Sequence, residues 1–292
     1  MPHLSPVITL ENGITRLTLS PQTGGSIVNW LALESGHWLL RHSSERDQAE
    51  RSPRRLSCYP LLPWSNRIGQ GGFQQPDGWL ALTPNSPGDP LPIHGSAWQQ
   101  AWTLVEQDAL SATLELESTR PFPYRARQRF ELEGGALRIS LQVTHLGEGA
   151  AWYGLGLHPY LPRTEHTRLQ VRASGVWLCD SAGLSERLSE IPPEWDFQQT
   201  SGLPNTLVDN AFTEWDGECL IIQADAGYQL YGQVRGSDCF MLFCPPGKDF
   251  FCFEPVSHPV NAHHLSGRPG LRLLAQGQQA SLEWSLTYLK LA

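Results

Sequence analysis

Apolar and polar side chains alternate along much of this chain. The segment LRISLQVTHL, residues 137–146, places apolar residues at every second position, and SLEWSLTYLKL, residues 281–291, repeats the pattern. Shorter alternations occur at 112–117, 126–132 and 220–222. Because successive side chains of a strand point to opposite faces of a sheet, a period of two predicts half-buried β-strands. We therefore expect a chain rich in strands.

Helical periodicity is weak by comparison. The best helix candidate, roughly residues 44–51 (SERDQAER), is short and polar, and Pro53 would stop it. Parallel strands need long crossovers that are usually helical, so strands without intervening helices favour an antiparallel sandwich or barrel. No repeat, linker or change of composition divides the sequence, and we expect one domain over residues 1–292.

Composition and charge narrow the class of protein. Hydrophobic residues make up 40% of the chain and include 11 tryptophans, which argues against disorder. The formal net charge of −8 argues against a nucleic-acid partner, and the short arginine run at 51–55 is expected to be a solvated loop. No apolar stretch reaches the ~18 residues of a membrane span, and the first residues do not resemble a signal peptide.

The cysteine content favours a cytoplasmic protein. Six are present without a C-x-x-C pair, which favours reduced, buried residues in a cytoplasmic protein.

Two histidines and an arginine stand in aromatic, glycine- and proline-rich surroundings. Arg67 follows Asn66 in WSNRIGQGGF, and its fork of donors suits paired hydroxyls or a carboxylate. His94 lies in PIHGSAW, where a structural role in a turn is the commoner explanation. In YGLGLHPYL, Pro159 restricts the residue before it, so His158 should be held in extended conformation at a strand end.

Two carboxylates complete this set. Asp209 in LVDNAFTEWDG precedes an asparagine, a combination that is also ordinary turn chemistry. Glu254 follows the apolar run DFFCF, where an unpaired carboxylate is unfavourable to bury. Burial tends to raise the pKa of such a carboxyl toward neutrality, which suits a general base.

Other chemistries have weaker support. His258, His263 and His264 match no zinc spacing, and nearby prolines preclude a metal-binding helix, so we predict no metal. No nucleophile motif of the G-x-S-x-G type is present, and we predict no cofactor.

Taken together and in this order, five motifs resemble the aldose 1-epimerase (galactose mutarotase-like) family, in particular its compact bacterial branch. They are Asn66-Arg67, His94-Gly95, His158-Pro159-Tyr160, Asp209 with Phe212, and Glu254-Pro255. The resemblance spans Leu17 to Leu289 and implies a large antiparallel β-sandwich. It also implies a mutarotase, which interconverts the α and β anomers of an aldohexose as part of carbohydrate metabolism.

The resemblance implies a role for each site residue. Glu254 would be the base and His158 the acid, facing each other across a hexose-sized hollow. His94 would donate a hydrogen bond near the ring oxygen. The substrate would be held by Asn66, Arg67 and Asp209. Apart from the resemblance, we expect Tyr160, with Trp30 or Trp64, to bind the substrate as an apolar platform for the sugar's C–H face. The partner would be a small aldose, and the protein a monomer or homodimer.

Several alternatives remain open. A hexose-6-phosphate 1-epimerase would need basic residues at the phosphate, for which Arg163 and Arg168 are available, and a mutarotase for another modified sugar could use Arg67. A carbohydrate-binding β-sandwich without catalysis is the alternative from another class. Glycoside hydrolysis would use Asp209 and Glu254 as a carboxylate pair.

Overall fold

The computed structural model describes residues 6–291, which are nearly all strand and loop. In chain order, the strands of these residues are β1 (Ile8–Glu11), β2 (Thr15–Ser20), β3 (Ser26–Ala32), β4 (Pro60–Leu61), β5 (Gly72–Gln75), β6 (Gly78–Ala81), β7 (Thr103–Gln107), β8 (Ser111–Ser118), β9 (Tyr124–Glu133), β10 (Ala136–His145), β11 (Ala151–Tyr153), β12 (Gly156–Leu157), β13 (Tyr160–Pro162), β14 (Thr167–Val171), β15 (Gly175–Cys179), β16 (Ser185–Ser189), β17 (Ser201–Gly202), β18 (Val208–Thr213), β19 (Glu218–Gln223), β20 (Tyr228–Arg235), β21 (Cys239–Cys244), β22 (Phe250–Val256), β23 (Arg272–Leu274) and β24 (Gln279–Lys290).

Helical structure is limited to short pieces. The α-helix α1 (Glu45–Ala49) is capped by Ser44, whose side chain accepts from the Asp47 N–H, so the predicted short helix at 44–51 is confirmed. Single 3₁₀ turns are formed by Pro53–Arg55, Ala97–Gln99, Pro193–Trp195, Ala224–Ala226 and Ala262–His264. Within residues 6–291 no helix has the length and apolarity needed to cross a bilayer.

Two large antiparallel sheets dominate the architecture. One has nine strands in the order β17-β14-β19-β20-β24-β10-β9-β8-β7. The other has the order β16-β15-β18-β21-β22-β12-β4, and β13 also pairs with β22. A three-stranded sheet, β1-β2-β3, and the pairs β5-β6 and β11-β23 flank them.

The main core lies between the large sheets. Strand β10 buries its alternate apolar side chains and pairs with β24 so that Ile139 is opposite Trp284, and both residues are almost fully covered. Phe212, Phe240 and Phe253 reach the same hydrophobic cluster from the other sheet. The predicted alternations at 137–144 and 282–288 and the all-β antiparallel sandwich are confirmed. The expected single domain over 1–292 extends beyond the described residues at both ends and stays a prediction.

The eight-stranded sheet has a second buried face. On β22, Phe251 and Phe253 enter the main core, whereas Cys252 and Val256 join a separate cluster with Tyr160 and Met241. Alternation along one strand therefore supplies both a core layer and a floor for the segments that cover the outer face.

The six cysteines are free thiols, and five of them are buried as expected, with Cys179 partly exposed.

Candidate functional site

A cleft lies on the outer face of the eight-stranded sheet, away from the main core. The structure brings every sequence-predicted site residue to this cleft: Asn66, Arg67, His94, His158, Tyr160, Asp209 and Glu254. Arg54, Tyr59, Ile93 and Phe243 complete the lining. Residues that are far apart in the sequence thus line one cleft.

Three neighbouring strands place the acidic side of the cleft. In the pairing of β18 with β21, Asp209 lies opposite Phe243, and in that of β21 with β22, Phe243 lies opposite Cys252. Glu254 is two residues further along β22, so its side chain points to the same face of the sheet as that of Cys252. The register of the sheet fixes the carboxylates relative to each other.

Two loops hold each other at the opposite side. The Asn66 N–H donates to His94 Nδ1 at 3.0 Å, and the His94 N–H donates to the Asn66 carbonyl at 3.0 Å. Both residues have a left-handed backbone, with φ of 58° and 61°. Such φ values are uncommon for residues other than glycine and persist only where surrounding contacts hold them.

The glycine after His94 is required by the same packing. Gly95 has φ +63°, and a Cβ there would lie 2.1 Å from the Leu62 carbonyl oxygen. Glycine is therefore needed after His94 because the backbone at Gly95 packs closely against the backbone at Leu62.

The contacts of His94 determine where its proton lies. Burial, together with the nearby charges of His158 and Arg54, holds the pKa of His94 well below its usual value, so the ring is neutral. Since Nδ1 accepts from the Asn66 N–H, the ring proton is on Nε2. His94 is consequently a hydrogen-bond donor through Nε2.

His158 and Glu254 form the central pair. His158 Nε2 lies 3.3 Å from Glu254 Oε1, and the side chains are only 9% and 4% exposed. The expectation that they face each other across a hollow is wrong, because they are in direct contact on one wall. The 2-residue strand β12 ends at Leu157, and the His158 N–H donates to the Tyr59 carbonyl, which directs the imidazole toward β22.

Burial shifts the proton affinities of this pair in opposite directions. It lowers the pKa of His158 to about 3, with the charges of Arg54 and Arg41 contributing. It raises the pKa of Glu254 well above its usual value; the charge of Asp209 adds to this and that of Arg67 opposes it. Both shifts disfavour charge, so the pair is held in its neutral arrangement with one proton between the two groups.

Two polar atoms of the pair are covered and unsatisfied. Within residues 6–291, His158 Nδ1 and Glu254 Oε2 have no hydrogen-bond partner. A buried polar atom without a partner costs about 1–3 kcal/mol, so such atoms are rare in a folded protein. Their presence at the centre of a cleft is typical of a site that completes its hydrogen bonds with a ligand.

Arg67 is held between two acids. Its Nε donates to Asp89 Oδ2 at 3.1 Å, and its Nη1 lies 3.6 Å from Asp209 Oδ2. Burial raises the pKa of Asp209, and the Arg67 charge opposes that rise. The Asp209 side chain is still 32% exposed, so it remains open to a ligand. Asp89 was not predicted, and nothing in its proline-rich loop distinguishes it from an ordinary turn residue.

Aromatic rings form the floor around the imidazole. Tyr59 and Tyr160 stack on His158 with ring centroids 4.6 and 4.8 Å away. The Arg41 guanidinium lies 3.6 Å from the Tyr160 ring centroid. Tyr160 is therefore at the site as predicted, and Tyr59 and Arg41 are additions that the sequence did not indicate.

The two tryptophans expected as platforms are elsewhere. Trp30, on β3, faces the main core and is fully buried there. Trp64 packs with Ile68 and Phe73 in a separate small cluster. That expectation is wrong, because both indoles serve as packing residues.

The arginines also differ from expectation. In the run at 51–55, expected to be solvated, Arg54 lines the cleft while Arg55 is exposed and pairs with Glu50. A 3₁₀ turn sends successive side chains in different directions, so neighbours can have different surroundings. Arg163 donates to the Pro204 and Pro245 carbonyls and Arg168 to those of Glu165 and Thr167, and neither lines the cleft.

One group of side chains in the cleft has the chemistry to hold a metal ion. Ligand atoms of His158, Cys252 and Glu254 lie within 4.8 Å of one another. Burial, with the charge of Glu254, raises the pKa of the Cys252 thiol well above its usual value, whereas a metal-bound cysteine must be a thiolate. Metal binding at this group would therefore require the thiol to lose its proton. The histidines His258, His263 and His264 are not part of it.

Comparison with known proteins shows which family and fold the chain shares. The family model described as aldose 1-epimerase matches residues 6–287. The uncharacterised protein YphB of Escherichia coli (strain K12) is 32% identical over 295 residues, which cover 96% of this chain and 98% of YphB. A solved structure from Escherichia coli K12 has a TM-score of 0.91 at 32% identity and covers 98% of this chain and 99% of its own.

A more distant structure shares the fold. Galactose 1-epimerase from Lactobacillus acidophilus NCFM has a TM-score of 0.78 at 17% identity, covering 98% of this chain and 95% of that one.

Proposed function

Because this chain belongs to the aldose 1-epimerase family, we propose that it interconverts the α and β anomers of an aldohexose by opening and reclosing the pyranose ring. One observation carries the proposal: the 3.3 Å contact of His158 Nε2 with Glu254 Oε1 inside a covered cleft. Family membership supports the class of reaction, and this pair supplies the two proton-transfer groups that the reaction needs.

Ring opening requires two proton movements. Glu254 takes the proton of the anomeric hydroxyl, the electrons of that O–H bond form the C1=O double bond, and the C1–O5 bond breaks toward the ring oxygen. His158 donates a proton to that oxygen, so the products are the open-chain aldehyde and a neutral pair. The aldehyde then turns about C1–C2, and the reverse steps close the ring on the other face. Positioned acid–base groups of this kind contribute about 10²–10⁴-fold to a rate.

The adjacency of the two groups suits this chemistry. The oxygen that loses a proton and the oxygen that gains one are both bonded to C1, so an acid and a base in contact can reach both. Burial favours the neutral arrangement that ring opening produces. The neutral resting pair becomes charged when the Glu254 proton passes to His158 across the 3.3 Å contact, and ring closure by the reverse steps returns the pair to that charged arrangement. No net proton is exchanged with solvent in a cycle.

The remaining cleft residues would bind and orient the sugar. His94 would donate its Nε2–H beside the ring oxygen, a neutral donor that does not compete for the transferred proton. Arg67 and Asp209 would take paired hydroxyls, since one offers donors and the other acceptors. Asn66 fixes both His94 and Arg67 through hydrogen bonds, and Tyr160 offers an apolar surface to the sugar's C–H groups.

A binding module without catalysis is the alternative from another class. A module of that kind has no use for a covered carboxyl and imidazole in contact. Both groups carry unsatisfied atoms, which is unfavourable for stability and serves proton transfer.

The test is a panel of freshly dissolved aldoses, followed by polarimetry and by NMR of the anomeric protons. We expect anomerisation of at least one aldohexose far above its spontaneous rate, with loss of that acceleration in the Glu254→Gln variant. Sugar binding without any acceleration would overturn the proposal in favour of the binding module. Release of a reducing sugar from aryl glycosides would point to hydrolysis.

A further inference from the structure

The histidine segment, residues 257–264 (SHPVNAHH), directly follows β22 and takes no part in the proposed proton transfers. It packs beside the binding loop, residues 65–69 (SNRIG), which carries Asn66 and Arg67. Although 193 positions separate Ser65 from His258, the two residues are in direct contact. The histidine segment therefore connects the strand of Glu254 with the loop of Arg67.

Two side chains of the histidine segment hold the two ends of the binding loop. His258 Nε2 accepts from the Ser65 N–H at 3.1 Å, and Asn261 Oδ1 accepts from the Gly69 N–H at 2.9 Å. Both acceptor residues are buried. Because a buried N–H without a partner is unfavourable, these two bonds determine where the backbone of the loop lies.

The ring of His258 has the tautomer that this contact needs. Its Nδ1 lies 2.7 Å from the Pro259 carbonyl oxygen, which can only accept, so Nδ1 carries the ring proton and Nε2 can accept. Burial lowers the pKa of His258 to about 4, which keeps the ring neutral. A Cβ on Gly154 would lie 2.1 Å from Nε2, so a glycine leaves room for the ring.

Consecutive N–H groups of the binding loop are accepted by side chains. The Ser65 N–H donates to His258, and the Asn66 N–H donates to His94 at 3.0 Å. The Arg67 N–H, next in the chain, donates to the Asn66 side chain at 2.8 Å. The backbone that leads to the Arg67 side chain is therefore held at each of these three residues.

Arg67 lies midway between the two held ends, two residues after Ser65 and two before Gly69. A shift of the loop would consequently displace the Arg67 guanidinium relative to β22. We propose that His258 and Asn261 are positioning residues, which fix Arg67 where it can bind the sugar beside the acid–base pair. This role rests on the proposed function, in which Arg67 binds sugar hydroxyls.

The experiment measures kcat and KM for anomerisation of glucose and galactose by exchange NMR, in the wild type and two variants. His258→Leu removes one acceptor. Asn261→Gly removes the other and tolerates the left-handed backbone of that residue, φ 59°. Each should raise KM about 5- to 50-fold and lower kcat less than about threefold, because the lost bond is on the loop that binds the sugar.

Two control variants separate positioning from packing. In His258→Gln the side-chain carbonyl can accept from the Ser65 N–H, so KM should return to within about threefold of the wild type. His263→Leu is the matched control, because His263 is equally buried in the same segment but neither of its nitrogens has a partner within residues 6–291. It should leave both kinetic constants within about twofold.

A double-mutant cycle tests whether the effect passes through Arg67. In an Arg67→Gln background, His258→Leu and Asn261→Gly should each raise KM less than about twofold further, since the group that they position is absent. A role in stability alone would lower the urea midpoint and leave KM of the folded protein unchanged. If His258→Leu does not fold, Asn261→Gly decides the test.

The outcomes separate this inference from the proposed function. An unchanged KM in Asn261→Gly and in folded His258→Leu, or the same rise in KM with and without Arg67, would overturn the positioning role while leaving a mutarotase. Failure of the wild type to accelerate any aldose would overturn the proposed function itself.

Discussion

The two faces of the eight-stranded sheet are both buried, yet they differ in chemistry. On β22, Phe251 and Phe253 point into the main core and belong to its hydrophobic cluster. Their neighbours Cys252 and Glu254 point the other way, where Glu254 meets His158. Burial of an apolar ring stabilises the fold, whereas burial of a carboxyl changes its proton affinity and is unfavourable for stability. Side chains one residue apart therefore serve opposite purposes.

Strand β22 therefore contributes both to the main core and to the cleft. The phenylalanines hold β22 in register with β21, and that register fixes where the Glu254 carboxyl meets the imidazole. Substitutions on the core face of β22 should therefore lower mainly stability, and substitutions on its cleft face should lower mainly activity.

The largest effect is expected on the cleft face. Glu254→Gln keeps the shape of the side chain and can still hydrogen-bond to His158, but it has no site that takes a proton. We expect a loss of about 10²–10⁴-fold in the catalysed rate, measured by polarimetry. Sugar binding by calorimetry should stay within about tenfold, and the urea midpoint should not fall. Near-wild-type turnover would contradict the assignment of the base.

The neighbouring residue should show the opposite behaviour. Phe253→Ala removes a fully covered ring from the main core, and the free energy of unfolding should fall by about 3–5 kcal/mol in urea titrations. The rate of the folded fraction should change far less than in Glu254→Gln, since Phe253 does not line the cleft. A loss of stability under about 1 kcal/mol would mean that the core face tolerates a cavity.

Low pH should destabilise the fold through buried histidines on the outer face of the eight-stranded sheet and in the loops that cover it. Burial lowers the pKa of four histidines below 6.5: His94 and His263 well below it, His158 to about 3 and His258 to about 4. Below pH 6.5 the unfolded chain binds protons that the folded chain does not. Stability should therefore fall as the pH drops below 6.5, by up to about 1.4 kcal/mol per pH unit for each histidine.

Glu254 acts with the opposite sign. Its folded pKa is raised, so between 4.5 and that pKa the folded chain holds the extra proton, which offsets about one histidine. The measurement is the urea midpoint from pH 7.5 to 5. His263→Leu should flatten the slope by one histidine's share, because that ring packs on Phe73 and neither nitrogen has a partner within residues 6–291. A pH-independent midpoint would rule out this account.

The smallest effect is expected for substitution of the buried thiol of Cys252. Cys252 shares the cleft face with Glu254, yet it holds its proton and has no role in the proposed transfer. Cys252→Ala should leave the rate within about twofold, and treatment with EDTA should leave the wild-type rate unchanged. A large loss in either experiment would indicate that His158, Cys252 and Glu254 hold a metal.

Much of the fold could be predicted from local pattern. Alternation in β10 and β24 identifies strands because the pleat repeats every two residues, whatever the partner. The seven predicted site residues were selected because each stood out as a polar group among aromatic, glycine or proline neighbours and all fitted one family pattern, and in the structure all seven line one cleft.

Contacts between segments that are far apart in the sequence could not be predicted from local pattern. The sequence could not indicate that Glu254 and His158 are in contact, that Trp30 and Trp64 belong to packing clusters, or that Arg54 and not Arg163 or Arg168 lines the cleft. In the run at 51–55, Arg54 and Arg55 are chemically identical, and only their directions in the 3₁₀ turn distinguish them.

The sequence by itself determined the strands, the antiparallel class and the set of polar residues that are candidates for the chemistry, because these depend on residue type and short-range period. The tertiary structure alone decided which of those groups touch and which are desolvated. Distances, burial and electric fields depend on segments that are far apart in the chain, and these bring a carboxyl and an imidazole into contact and shift their proton affinities.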